Sequence, residues 1–134
     1  MLRLEELVLL GICVYHEARG EPFEGQVAVA QVVLDRAVER GQSVREVIFA
    51  PMQFSWANGG VRPPIRDYEA FQTAMRAAVT AVRRRRRGDN FESADHYFAD
   101  YIPVPRWAGA MTFVRKIGRH LFYRDKGVPS EAKQ

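Results

Sequence analysis

Leu7-Val8-Leu9-Leu10-Gly11-Ile12-Cys13-Val14-Tyr15-His16-Glu17-Ala18-Arg19-Gly20-Glu21-Pro22 sets a polar, charged segment directly behind an apolar run. From about Leu4 to Tyr15 the chain reads as a helix that is apolar nearly all round, the pattern of a helix in the middle of a domain. Gly20 and Pro22 then punctuate a turn. Glu17 is thereby anchored at the edge of a core. A carboxyl group held against apolar surface has its charged form disfavoured and keeps its proton to higher pH. That is the requirement for a general acid in glycoside cleavage. A surface glutamate paired with Arg19 is the plainer alternative.

Working outward, four further helices are expected. The second covers about residues 25–40, with Glu24, Gln26, Gln31, Asp35 and Glu39 as a polar stripe and Gly41 as its stop. Ser43-Val44-Arg45-Glu46 is a capping box that opens a short third helix. Asp67 caps a fourth, in which Tyr68, Phe71, Met75, Ala78 and Val82 recur at steps of three and four. A turn or two is expected over residues 106–111. Residues 51–66, with two glycines and two adjacent prolines, form a long connection, and long connections tend to carry function. His96 to Ala99 reads as a strand, and residues 112–116 and 119–124 as a hairpin turning near Gly118. The expected fold is α+β and mostly helical, with a small antiparallel sheet near the C-terminus. Residues 1–125 make one catalytic domain and 126–134 a flexible tail.

Composition narrows the function. The 134 residues suit one domain, and 47% hydrophobic residues suffice for one core. The single cysteine, Cys13, excludes an internal disulfide and reads as a small buried hydrophobe. Three histidines without ligand spacing imply no metal, and no cofactor is expected. The apolar run is too short to span a bilayer and follows Glu5 and Glu6, so no signal peptide is visible. Residues 1–67 carry a net charge of −2 and residues 68–134 a net +6. A basic half of this kind favours polyanions.

Several residues have the chemistry to grip a sugar. Trp56 and Trp107 offer flat apolar faces, and Gln53, Ser55, His96 and Tyr97 offer hydrogen bonds. Glu24 is the candidate second carboxylate, with a helix-capping role as the alternative; Glu21, Asp95 and Asp100 are fixed by no readable spacing. His120 reads as structural. The run Arg83 to Arg87 exceeds what a helix dipole needs. It is assigned to adhesion to an anionic envelope polymer or lipid, ahead of a plain solvated face. Specific nucleic-acid binding is not expected, because no aromatic residues interleave the arginines and no recognition motif accompanies them.

The segment His16-Glu17-Ala18-Arg19-Gly20-Glu21-Pro22-Phe23-Glu24-Gly25-Gln26, with Leu34-Asp35-Arg36 after it, resembles the N-terminal motif of the SleB/CwlJ-type cell wall hydrolases. Gln53-Phe54-Ser55-Trp56, Ala94 to Ala99, Pro105-Arg106-Trp107-Ala108 and Ile117 to Tyr123 continue the similarity in order. It spans residues 7–124. The resemblance implies a lysozyme-like domain that cleaves peptidoglycan between N-acetylmuramic acid and N-acetylglucosamine, with Glu17 as acid/base. It further implies a lytic transglycosylase, with a water-using muramidase or a non-catalytic glycan- or polyanion-binding module as alternatives. A monomer is expected. So is a phage-type lysis role, the chain staying in the cytoplasm until released to the cell wall or periplasm.

Overall fold

The computed structural model describes residues 2–50, 53–60, 63–88 and 94–125. The expected tail, 126–134, lies outside them. Helix α1 spans Leu4–Ala18, α2 Phe23–Arg40, α3 Val44–Phe49 and α4 Tyr68–Arg86. Two 3-10 segments, Ser55–Gly60 and Arg106–Ala110, lie in the connections. Strands β1 (His96–Ala99), β2 (Thr112–Ile117) and β3 (His120–Arg124) form an antiparallel sheet in the order β1-β3-β2. The expected α+β class, mostly helical with a small C-terminal sheet, is the observed one.

The local signals act where the sequence placed them. Ser43 Oγ accepts from the Glu46 backbone N–H, and the Glu46 carboxylate accepts from the Ser43 N–H, closing the capping box. Asp67 accepts from Ala70 N–H at the head of α4. Gly41 takes φ +62° and ends α2, as a left-handed C-terminal residue does.

Two expectations change. Helix α1 continues to Ala18, so Glu17 stands in its last turn instead of beyond it. The helix buried most continuously is α2, not α1: every residue from Gly25 to Arg36 is buried, whereas Leu4 and Val8 of α1 reach solvent. Gln26, Gln31 and Asp35 of the supposed polar stripe are therefore inside. Small side chains explain this, since Ala28, Ala30 and the valines beside them let α1, α3 and α4 close on α2. Across the bundle, a Cβ at Gly11 would come within 2.0 Å of Met75 Sδ, so α1 and α4 meet at close range.

Tyr15, fully buried, ties α1 to the start of α4. Its phenol oxygen accepts from Arg19 Nη1 at 2.6 Å and from the Arg66 and Asp67 N–H groups at 3.3 and 3.2 Å. The sheet is fastened to the α1–α2 turn by Glu21, whose carboxylate accepts from the Arg119 N–H at 2.8 Å. Gly118, at the tip of the β2–β3 hairpin, has φ +56°, and a Cβ there would lie 2.7 Å from Pro22 Cδ and 2.4 Å from Glu21 Oε1. Gly118→Ala therefore meets a ring atom that cannot yield as well as a backbone penalty. It should lower the unfolding free energy by about 2–4 kcal/mol in urea titrations. Gly41→Ala, also at positive φ but facing open space, should cost about 1 kcal/mol.

Candidate active site

The last turn of α1 faces the sheet across a groove of about 480 Å³. Strand alternation decides what the sheet contributes. Tyr97 pairs with Phe122 and Ala99 with His120, so these four share one face, turned to α1. His96 and Phe98 point the other way, with Tyr123, and Trp107 packs over that outer face with ring centroids 5.0 Å from His96 and 5.5 Å from Tyr123. The groove is lined by His16 and Glu17 from α1, Ser55 from the first 3-10 segment, and Tyr97, Ala99 and His120 from the sheet. Phe98, Tyr101, Ile102, Pro105 and Trp107 complete its lining.

Glu17 is the only carboxylate among the described residues lining this groove. Burial raises its pKa above the ordinary 4.5; the Tyr97 hydrogen bond and the charge of Arg36 pull the other way without cancelling it. Tyr97 donates its hydroxyl hydrogen to Glu17 Oε1. Burial, reinforced by the Glu17 carboxylate, pushes the Tyr97 phenol well above its usual value, so it remains a donor. Burial also lowers the pKa of His16 and of His120, the latter against the opposing pull of Glu21, whose Oε1 is 3.7 Å from His120 Nδ1. Neutral imidazoles therefore flank the acid. They do not compete with it as cations.

Of the residues singled out for sugar contact, Ser55, Tyr97 and Trp107 meet Glu17 at the groove. The others do not. Gln53 Oε1 accepts from Arg36 Nη1 at 3.0 Å and from Arg40 Nη1 at 3.4 Å, so its amide holds the core together. His96, one residue from Tyr97, is carried to the opposite face, where its Nδ1 lies 2.9 Å from Asp95 Oδ1. Trp56, half-buried against the core, packs its ring on His16 at 4.8 Å. Glu24 accepts from Arg84 Nη1 and Nη2 at 2.8 and 3.0 Å and lies outside the groove. The alternative pairing of Glu17 with Arg19 is not made; Arg19 donates to Tyr15.

Sequence reasoning missed His16, His120, Tyr101, Ile102 and Pro105. Alternation along β3 sets His120 with Phe122 on one face, a signal that was present. What it lacked was the register that brings this face onto α1. Tyr101 and Ile102 are exposed apolar residues in a loop, a feature readable as a contact surface. Among the described residues no group of three or more His, Cys, Asp or Glu side chains could hold a metal ion.

The electrostatics give two checks. A native pKa above the unfolded value means the native state binds more protons between the two. Glu17 thus contributes stability that is whole below about pH 4.5 and is lost as pH rises through its raised native value. Glu17→Gln should accordingly be more stable than the wild type at pH 7, with the advantage vanishing below pH 4 in paired denaturation curves. Tyr97→Phe removes the donor that favours the carboxylate. Its Glu17 carboxyl carbon should titrate at a higher pH than in the wild type by NMR.

Comparison with known proteins places the fold in a family. Residues 20–123 match the model of the cell wall hydrolase family. The spore cortex-lytic enzyme of Bacillus subtilis (strain 168) is 34% identical over 120 residues, covering 87% of this chain and 37% of that protein. The spore cortex-lytic enzyme of Bacillus cereus is 32% identical over 120 residues, covering 87% and 43%. The chain thus spans well under half the length of these curated relatives. Among solved structures, the catalytic domain of the Bacillus cereus SleB protein superposes with a TM-score of 0.76 at 30% identity, covering 92% of this chain and 93% of that one. The catalytic domain of the germination-specific lytic transglycosylase SleB from Bacillus anthracis gives 0.72 at 30% identity, with 91% and 96% covered. With the family model matching most of this chain, the chain belongs to the cell wall hydrolase family.

Proposed function

We propose that this domain degrades peptidoglycan as a lytic transglycosylase, cleaving the linkage between N-acetylmuramic acid and N-acetylglucosamine. The observation that carries the reading is the buried carboxyl of Glu17, single among the described residues that line the groove. Hydrolysis by the usual route needs two carboxylates, one to protonate the leaving oxygen and one to activate water or attack. Intramolecular transfer needs one. Glu17, whose protonated form burial favours, gives its proton to the glycosidic oxygen as the bond from C1 of the muramic residue breaks. Its carboxylate then takes the proton of that residue's 6-hydroxyl as the hydroxyl oxygen bonds to C1. The products are a free 4-hydroxyl on one fragment and a 1,6-anhydro ring on the other, and Glu17 is again protonated.

The surroundings support each step. Tyr97 donates to Glu17 and steadies the ionised form between the two proton transfers. The charge of Arg36 acts in the same sense. Ser55 supplies a hydroxyl at the groove wall, and Tyr101, Ile102 and Trp107 supply apolar area for pyranose faces. The catalytic domain from Bacillus anthracis that superposes on this chain is itself called a lytic transglycosylase. A phage-type lysis role extends the same reading, supported by the basic charge of residues 68–134.

Mass spectrometry of digested peptidoglycan sacculi tests the chemistry. Fragments should end in anhydro-muramic acid, one water lighter than hydrolytic products. Reducing ends alone would transfer the assignment to a muramidase. Glu17→Gln, which keeps shape but can neither give nor retrieve a proton, should lose at least a thousandfold in turbidity clearance, within the range general acid–base catalysis supplies, ~10²–10⁴. A wild type that binds sacculi without clearing them would reduce the domain to a binding module.

A further inference from the structure

Three depressions, of about 320, 370 and 470 Å³, run into one another along the outer side of α4. The first shares Val79 and Arg83 with the second, and the second shares Leu2, Val82 and Arg86 with the third. Together they form one furrow. Met75, Val79, Val82, Leu7 and Leu34 are apolar along its length, and Arg76, Arg83 and Arg86 recur along the helix beside it. Leu4 and Val38, which also line it, are 76% and 57% exposed. No acidic side chain is among the described residues lining any of the three.

The five consecutive arginines are sorted by this geometry. Arg84 and Arg85 turn inward, binding Glu24 and Asp35, and knit α4 to α2. Arg83, Arg86 and Arg87 are exposed; Arg83 and Arg86 line the furrow, and Arg87 follows Arg86 at the end of the helix. The inward pair already places cationic side chains at the helix C-terminus, so complementing the dipole does not account for the outward three.

We propose that the furrow docks the domain on a bilayer containing anionic phospholipid, the guanidinium groups of Arg83, Arg86 and Arg87 meeting phosphates and the apolar channel taking acyl chain. Charge complementarity selects the sign of the partner. The apolar channel selects the lipid over a soluble polyanion, which would use the arginines and leave Leu4 and Val38 in water. Burial of apolar area together with attraction to anionic headgroups is the general basis of interfacial binding. The surface stands apart from the groove at Glu17 and does not rest on glycan cleavage.

Co-sedimentation with vesicles tests this. The full chain should pellet with phosphatidylcholine vesicles containing 30% phosphatidylglycerol and stay in solution with pure phosphatidylcholine. The triple variant Arg83→Glu/Arg86→Glu/Arg87→Glu should lose on the order of a hundredfold in affinity, at about a factor of five or more per arginine. Leu4→Ser/Val38→Ser, at exposed positions that the fold tolerates, should weaken vesicle binding several-fold but leave binding to soluble polyphosphate unchanged. Failure to pellet with anionic vesicles would overturn the proposal. So would a serine variant that binds those vesicles as the wild type does, since the surface would then be a polyanion site alone.

Discussion

A guanidinium inside a protein has to be given partners, and the arrangement around Arg36 follows from that need. Its side chain is buried on α2, where an unpaired charge would be strongly destabilising. Nε donates to the Asp95 carbonyl at 2.8 Å and Nη1 to Gln53 at 3.0 Å. One cation thereby fixes the residue just before β1 and the connection that follows α3. Strand β1 then carries Tyr97 against Glu17, and the residues after Gln53 carry Ser55 and Trp56 toward His16. The same charge favours ionised Glu17, in opposition to the burial that favours the acid. Scaffold and acid thus depend on a single buried ion.

Local rules were readable from the residues wherever the physics is local. The capping box at Ser43, the cap at Asp67, the stop at Gly41 and the three-four spacing in α4 each require only near neighbours. The burial of Glu17 was legible because a run of apolar residues and a polar break lie next to each other in the chain. Burial around α2 was not, because Gln31 and Asp35 look like solvent-facing residues until helices close over both sides. The departure of His96 from the groove is of another kind. A strand sends adjacent residues to opposite faces, so only one of His96 and Tyr97 could meet Glu17, but which one depends on where the sheet docks. Gln53 is similar: its amide suits a sugar hydroxyl as well as it suits a guanidinium, and only the position of Arg36 decides.

The arginine run shows how one composition feature divides between two duties. A helix turns by about 100° per residue, so five in succession cannot point the same way. Arg84 and Arg85 face α2 and find Glu24 and Asp35 there. The rest of the run looks outward. Glu24 consequently has a structural partner and lies away from the groove, where Glu17 is the carboxylate among the described lining residues.

Helix α1 joins the two surfaces of interest at opposite ends. Leu4 sits on the furrow and Glu17 on the groove, and at 1.5 Å per residue the thirteen steps between them amount to about 20 Å. Because α1 is an uninterrupted helix packed against α2 and α4, that interval behaves as a rigid ruler. Anything held at one end sets the height at which the other end works, so a glycan strand would be met at a fixed stand-off from whatever the domain rests upon.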